Sequence, residues 1–167
     1  MRSALVTGGS RGIGLAIVDR FKAAGWRVAT CARALDHLSE SRADFRFACD
    51  VADAGKVRAG VASVAREFGA IDALVNNAVL GFTRAFADHA AARGVTVNAV
   101  CPGWVRTDMA RERWKELGID EAKAGSGVPL GRVVEPAEVA SLVFFLASDE
   151  AGAITGQAFN IDGGMLA

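Results

Sequence analysis

The 167 residues contain no tyrosine, two histidines, three cysteines and three prolines. Without tyrosine, no phenol is present in these residues to give or take a proton. His37 and His89 lie far apart in the sequence, so no metal-ligand cluster forms around them. Cys31, Cys49 and Cys101 make no CxxC pair and read as buried thiols in or beside strands, as in a reducing compartment. Charge of one sign is also missing as an excess, because 19 lysines and arginines match 19 aspartates and glutamates without clustering. That balance argues against nucleic acid or an acidic membrane surface as the main partner. Hydrophobic residues make up 51% and the mean hydropathy is +0.26, yet no apolar run reaches the ~18 residues that a membrane span needs. The opening Met1-Arg2-Ser3 lacks the layout of a secretory signal, and the expectation is a cytoplasmic chain.

What is present is an alternation of strand-like and helix-period stretches. Residues 4–7, 27–31, 45–49, 73–75, 95–100 and 158–161 read as six strands. Helices are expected over 13–24, after Asp53, over 79–92 and from Pro136 to Ala147. Gly25 is placed to end the first helix, Asp53 to cap the second, and Pro136 to open the last. Val57, Val61, Val64 and Phe68 give the second helix its inward face. Pro102-Gly103 reads as the end of strand five. About 29 residues, 106–134, follow as a binding flap with some helix of its own, since so long a stretch is no plain connector. The whole is expected to be one α/β domain over 1–167, a Rossmann-like doubly wound parallel sheet.

Thr7-Gly8-Gly9-Ser10-Arg11-Gly12-Ile13-Gly14 stands between the first strand and the first helix. Glycine suits such a place because the backbone must turn sharply, approach a phosphate without a Cβ and let the helix pack closely. The N–H groups at the helix start then face the pyrophosphate, whose charge the helix dipole favours. This octapeptide resembles the cofactor motif of the short-chain dehydrogenase/reductase family. Asp50-Val51 resembles the pair that holds the adenine there, and Asn76-Asn77-Ala78 the family's Asn-Asn-Ala-Gly, with Val79 in place of the glycine. The run Val97-Asn98-Ala99-Val100-Cys101-Pro102-Gly103-Trp104-Val105-Arg106-Thr107 is similar to the strand and turn that meet the nicotinamide. Thr155-Gly156-Gln157 and Asp162-Gly163-Gly164 resemble the family's last strand.

The resemblance implies a nicotinamide dinucleotide as partner. Its site would be Gly8, Ser10, Arg11, Gly12, Ile13, Gly14, Arg33, Asp50, Val51, Asn76, Asn77, Ala78, Pro102, Gly103 and Thr107, the last touching the carboxamide. Cys31-Ala32-Arg33 carries no carboxylate to accept from the ribose hydroxyls, and Arg33 with Arg11 can clamp a 2′-phosphate in a bidentate fork. NADP(H) is therefore favoured over NAD(H).

The family's proton chemistry does not follow. There, a tyrosine passes the proton, a lysine four residues later lowers its pKa, and a serine and an asparagine help hold the substrate. Here no lysine lies between Lys56 and Lys115. Ala78 is followed at once by Val79-Leu80-Gly81-Phe82-Thr83-Arg84, which resembles the later half of the helix that carries the family's tyrosine. The chain thus reads as one helix–strand unit shorter than the family norm, with no catalytic residue assigned. The join leaves a crossover helix of ~14 residues, ~21 Å long, that Asn77 can cap, and a closed-up order 3-2-1-4-5-6.

Three functions stay open: a binder or partner subunit with little or no reductase activity, an oxidoreductase with another proton donor, and an internally deleted form without evolved function. In the second, the donor is water, His89 or a group from a second chain. Thr83 and Thr107 lack a neighbouring lysine to activate them, and Asp72 and Asn76 suit ligand binding without a proton role. A small carbonyl or alcohol is the ligand class implied. Pairing through residues 158–166 leaves a homo-oligomer open.

Overall fold

A computed structural model describes residues 1–75, 83, 87–88 and 90–165. The chain divides into two compact units, Met1–Asn77 and Ala78–Ala167.

The first unit is a parallel sheet between helices. Strands β1 (Ser3–Thr7), β2 (Arg27–Ala32), β3 (Phe45–Ala48) and β4 (Ala73–Val75) lie in the order β3-β2-β1-β4. The register sets Thr7 beside Cys31, Cys31 beside Phe47 and Val6 beside Val75, so the carboxyl ends of β1, β2 and β3 share one edge. Helix α1 (Gly12–Ala23) packs Ile17, Val18 and Phe21 inward. The Phe21 ring meets Trp26 edge-on at 5.0 Å. Gly25, at φ 79°, takes the left-handed turn after α1 as expected.

Helix α2 (Ala54–Phe68) is capped by Asp53, whose carboxylate accepts from the N–H groups of Gly55 and Lys56. Val64 is its buried anchor against Leu5 and Ala29, with Phe45, Phe47 and Phe68 around them. Val61, expected to face inward, is 38% exposed. The inward place beside it belongs to Gly60, where a Cβ would come within 2.2 Å of the Phe47 ring. An aromatic ring on the sheet fills the space that an apolar helix residue usually fills.

The second unit pairs β5 (Ala99–Pro102) with β6 (Ala158–Ile161) in parallel. Thr83, Ala87, Asp88, Ala90 and Ala91 are helical, within the helix expected over 79–92, whose other residues lie mostly outside the described ones. Beyond β5 come α3 (Asp108–Glu116), α4 (Glu121–Ser126) and α5 (Pro136–Leu146).

Strand order within each unit follows the expectation, and one boundary needs correction. The strands of the first unit run 3-2-1-4, and strands 5 and 6 of the second unit pair, as expected. Strand five starts at Ala99 rather than at residue 95, and before it the Val97 carbonyl accepts from the Gly156 N–H at 2.8 Å while side chains tie the rest. Val97 donates to the Thr155 hydroxyl at 3.1 Å, and the Asn98 amide donates to Ile154 and accepts from Gln157. Pro102 is the last residue of the strand and Gly103 follows it, as expected. Ala99 donates to Gln157, just before β6, and Gly103 donates to Ile161, so the missing N–H of Pro102 falls on the side away from β6.

The stretch 106–134 has helix of its own, as expected, in α3 and α4. Trp114 is 3% exposed and packs with Ala110, Ala124 and Val133, meeting Trp104 edge-on at 5.8 Å. Residues 106–134 thus carry a small core of their own.

Candidate functional site

In the first unit, the turn between β1 and α1 is held by contact on every side but one. Gly8 donates to the Cys31 carbonyl at 2.9 Å, which pins the turn to the end of β2. A Cβ on Gly9 would lie 2.2 Å from the Thr30 hydroxyl oxygen, and one on Gly14 would lie 2.2 Å from the Gly8 carbonyl oxygen. Thr30 is itself fixed, donating to the Val6 carbonyl at 2.8 Å. The exception is Gly8. Its φ of 69° requires glycine, and a Cβ there would meet nothing within 4 Å.

The start of α1 differs from that of its neighbours. Arg11, exposed and extended at φ −161°, gives no side-chain cap, and the first turn holds no acid. Asp53, Thr107 and Asp120 do cap α2, α3 and α4. The first amide N–H groups of α1, from Gly12 and Ile13 onward, are thus left to a ligand or to water. With open space at Gly8 and no competing carboxylate, this arrangement fits a phosphate group.

Arg33 follows β2 directly and is exposed. Beyond β3, Cys49 donates to the Ala32 carbonyl at 2.8 Å. The Asp50 carboxylate accepts from the Ala52 N–H at 3.0 Å, a tight turn that leaves Val51 57% exposed. Gly8, Ser10, Arg11, Gly12, Ile13, Gly14, Arg33, Asp50 and Val51 all gather at the carboxyl edge of this sheet, where open α/β sheets bind ligands. Cys31 and Cys49 are buried beneath them. Burial pushes the Cys31 thiol up, and the neighbouring Cys49 adds to the shift, which makes Cys31 a packing residue rather than a nucleophile. Cys101 is only half-buried.

In the second unit, Pro102 and Gly103 stand at the end of β5. A Cβ on Gly103 would come within 2.8 Å of the Asp162 side chain, so the two strand ends are pressed together. Asp162 accepts from the Gly164 N–H at 2.8 Å, and the Gly163 carbonyl accepts from Leu130 at 3.2 Å. The Thr107 hydroxyl accepts from Ala110 at 3.2 Å and donates to Val105 at 3.3 Å. It caps α3, a duty that the sequence did not reveal.

Asn76, Asn77 and Ala78 lie outside the described residues, as does His89. Thr83 is buried in its helix. Asp72 precedes β4, at the opposite end of the sheet from the glycine turn, and accepts from the Ser3 N–H at 2.7 Å. Its role is to hold the start of β1, not a ligand. Sequence reasoning also missed Arg106, which bonds Glu121 and Glu135. Partners 15 and 29 residues away share no local period that could have announced them.

Comparison with known proteins places these features. The short chain dehydrogenase profile matches residues 2–80, and the profile described as enoyl-(acyl carrier protein) reductase matches residues 77–166. An acetoacetyl-CoA reductase of Shinella zoogloeoides is 32% identical over 237 aligned positions, covering 98% of this chain and 98% of that protein. An alignment of 237 positions against 167 residues leaves at least 70 positions of that reductase without a counterpart here. The two profile matches meet at residues 77–80, where the sequence itself shows the join.

Among solved structures, the aldohexose dehydrogenase of Thermoplasma acidophilum has a TM-score of 0.90 at 26% identity, over 98% of this chain and 93% of that one. An actinorhodin polyketide ketoreductase variant crystallised with NADPH has a TM-score of 0.88 at 29% identity, over 98% and 97%. The chain is therefore a shortened member of the short-chain dehydrogenase/reductase family.

Proposed function

We propose that this chain binds NADP(H) through the glycine turn and does not perform the family's proton-coupled reduction. The observation that carries this reading is a pairing: an uncapped, acid-free helix start behind an open Gly8, in a chain with no tyrosine. When bound, the cofactor supplies or accepts hydride. The residues present bind and orient it. Amide groups of Gly12 and Ile13 hold the pyrophosphate, with Gly14 keeping the helix close enough for them to reach it. Arg33 and Arg11 meet the 2′-phosphate, and Asp50 with Val51 borders the adenine. Asn76, Asn77 and Ala78 are assigned to the cofactor by the resemblance alone. Pro102, Gly103 and Thr107 meet the nicotinamide end. On this reading the two units work as one dinucleotide-binding domain.

Three observations support the choice of NADP(H). Arg33 is exposed directly after β2, no carboxylate takes its place there, and the structurally similar actinorhodin ketoreductase was crystallised with NADPH. The names of the relatives suggest a β-ketoacyl thioester or similar small carbonyl as the ligand class. An alignment at least 70 positions longer than this chain supports the reading, taken from the resemblance, that the part of the family carrying the proton donor is left out after Ala78.

Titration of NADPH and NADH, followed by nicotinamide fluorescence, tests the binding half of the proposal. NADPH is expected to bind more tightly, and Arg33→Ala to weaken NADPH by about 10- to 100-fold, the worth of one charge-assisted contact, with little effect on NADH. Equal affinity for both cofactors in both proteins contradicts the assignment.

A further inference from the structure

Arg106 opens the flap, and its guanidinium gathers two distant points of the second unit. Its Nε and Nη2 lie 2.9 and 2.6 Å from one carboxylate oxygen of Glu121 on α4, and its Nη1 pairs with Glu135, the residue that precedes α5. The backbone repeats the junction. The Val134 N–H donates to Trp104 at 2.8 Å, and the Arg106 N–H donates to Val134 at 2.9 Å. The base of the flap, its second helix and the start of α5 therefore meet at one side chain. The next residue is Thr107, extended at φ −134°, whose hydroxyl starts α3.

We infer that Arg106 is a positioning residue, whose clasp on Glu121 and Glu135 fixes the place of Thr107 against the nicotinamide end of a bound dinucleotide. The inference rests on the cofactor reading above. A single surface ion pair contributes little to stability. One planar guanidinium shared by carboxylates from two elements is different, because its fork sets direction as well as distance. A lysine ammonium, a point charge on a flexible stem, cannot hold both in that geometry. With its side chain 39% exposed, Arg106 is expected to act on local geometry more than on global stability.

The test uses two probes, NADPH and adenosine 2′,5′-bisphosphate, which carries the adenosine end without nicotinamide. In Arg106→Met, NADPH is expected to bind about five- to tenfold more weakly, the loss of about one hydrogen bond, while the bisphosphate binds as in wild type. Arg106→Lys is expected to restore only part of the loss, and Glu121→Gln and Glu135→Gln to fall between. Equal loss on both probes, no loss on either, or full rescue by lysine overturns the role. Should Arg106→Met fail to fold by circular dichroism, the two glutamine variants carry the same comparison. Failure of the cofactor reading looks different. Wild type then binds neither probe, or binds NADPH no more tightly than the bisphosphate, and the positioning role falls with it.

Discussion

Glycines at 9, 14 and 60 act through the space they leave, and glycine at 8 through the backbone angle it permits. The distinction separates what each substitution should do. At position 14 an added methyl meets a backbone carbonyl, which cannot move aside as a side chain can. Gly14→Ala is therefore expected to weaken NADPH binding by about tenfold or more and to lower stability by about 1–3 kcal/mol, the usual range for overpacking. Fluorescence titration and urea unfolding read the two effects separately, and unchanged affinity would show that the Gly8–Gly14 contact does not shape the phosphate site. At this scale the sequence was a good guide to the turn, because glycine has few reasons to recur at such spacing. It was a poor guide to Asp72, whose side chain holds the start of a strand, and it did not show the helix cap that Thr107 supplies.

Elements were legible where their punctuation was local. Asp53, Gly25 and Pro136 mark helix boundaries that the structure keeps. Gly60 was not legible, because its reason lies on another strand in the ring of Phe47. Gly60→Ala should thus lower stability by about 1–2 kcal/mol despite alanine's better helix propensity, and a smaller ring in Phe47→Leu should relieve much of that loss. Urea unfolding of the two single variants and the double variant gives the coupling, and simple additivity would contradict the packing account.

At the start of α5, Glu138 accepts from the Arg132 guanidinium with both oxygens at 2.8 Å and from the Glu135 N–H. Arg132 foremost, then that N–H, hold its carboxyl down at about 2, against an ordinary value of 4.5. A carboxyl with a lowered folded pKa stabilises in full above its ordinary value, and that contribution fades as pH falls from 4.5 toward 2. Arg132→Met should therefore flatten the acid limb of thermal stability over that window and leave its shape near neutrality unchanged. An acid limb identical to wild type would remove the pair from the account.

For the whole molecule, the order of motifs along the chain made the fold class readable, since glycine turn, strand ends and last strand all appear in family sequence. Strand pairing within each unit was readable too, as 3-2-1-4 in the first and 5-6 in the second. Packing between elements was less readable, because a segment's own composition does not name its neighbour. The flap core around Trp114 was hidden for a similar reason, because its partners Ala124 and Val133 come from beyond its own helix. Among the described residues no helix is long and apolar enough to cross a membrane. What defines this family member is a subtraction, at least 70 positions relative to the aligned acetoacetyl-CoA reductase, without loss of the glycine turn between β1 and α1.

The most direct measurement is the rate of NADPH oxidation, followed by nicotinamide absorbance, with acetoacetyl-CoA and protein already shown to bind NADPH. The predicted rate equals that of the same mixture without protein. Turnover clearly above that background, abolished by Gly14→Ala, would show that another group carries the proton and would contradict a binder without the family's chemistry.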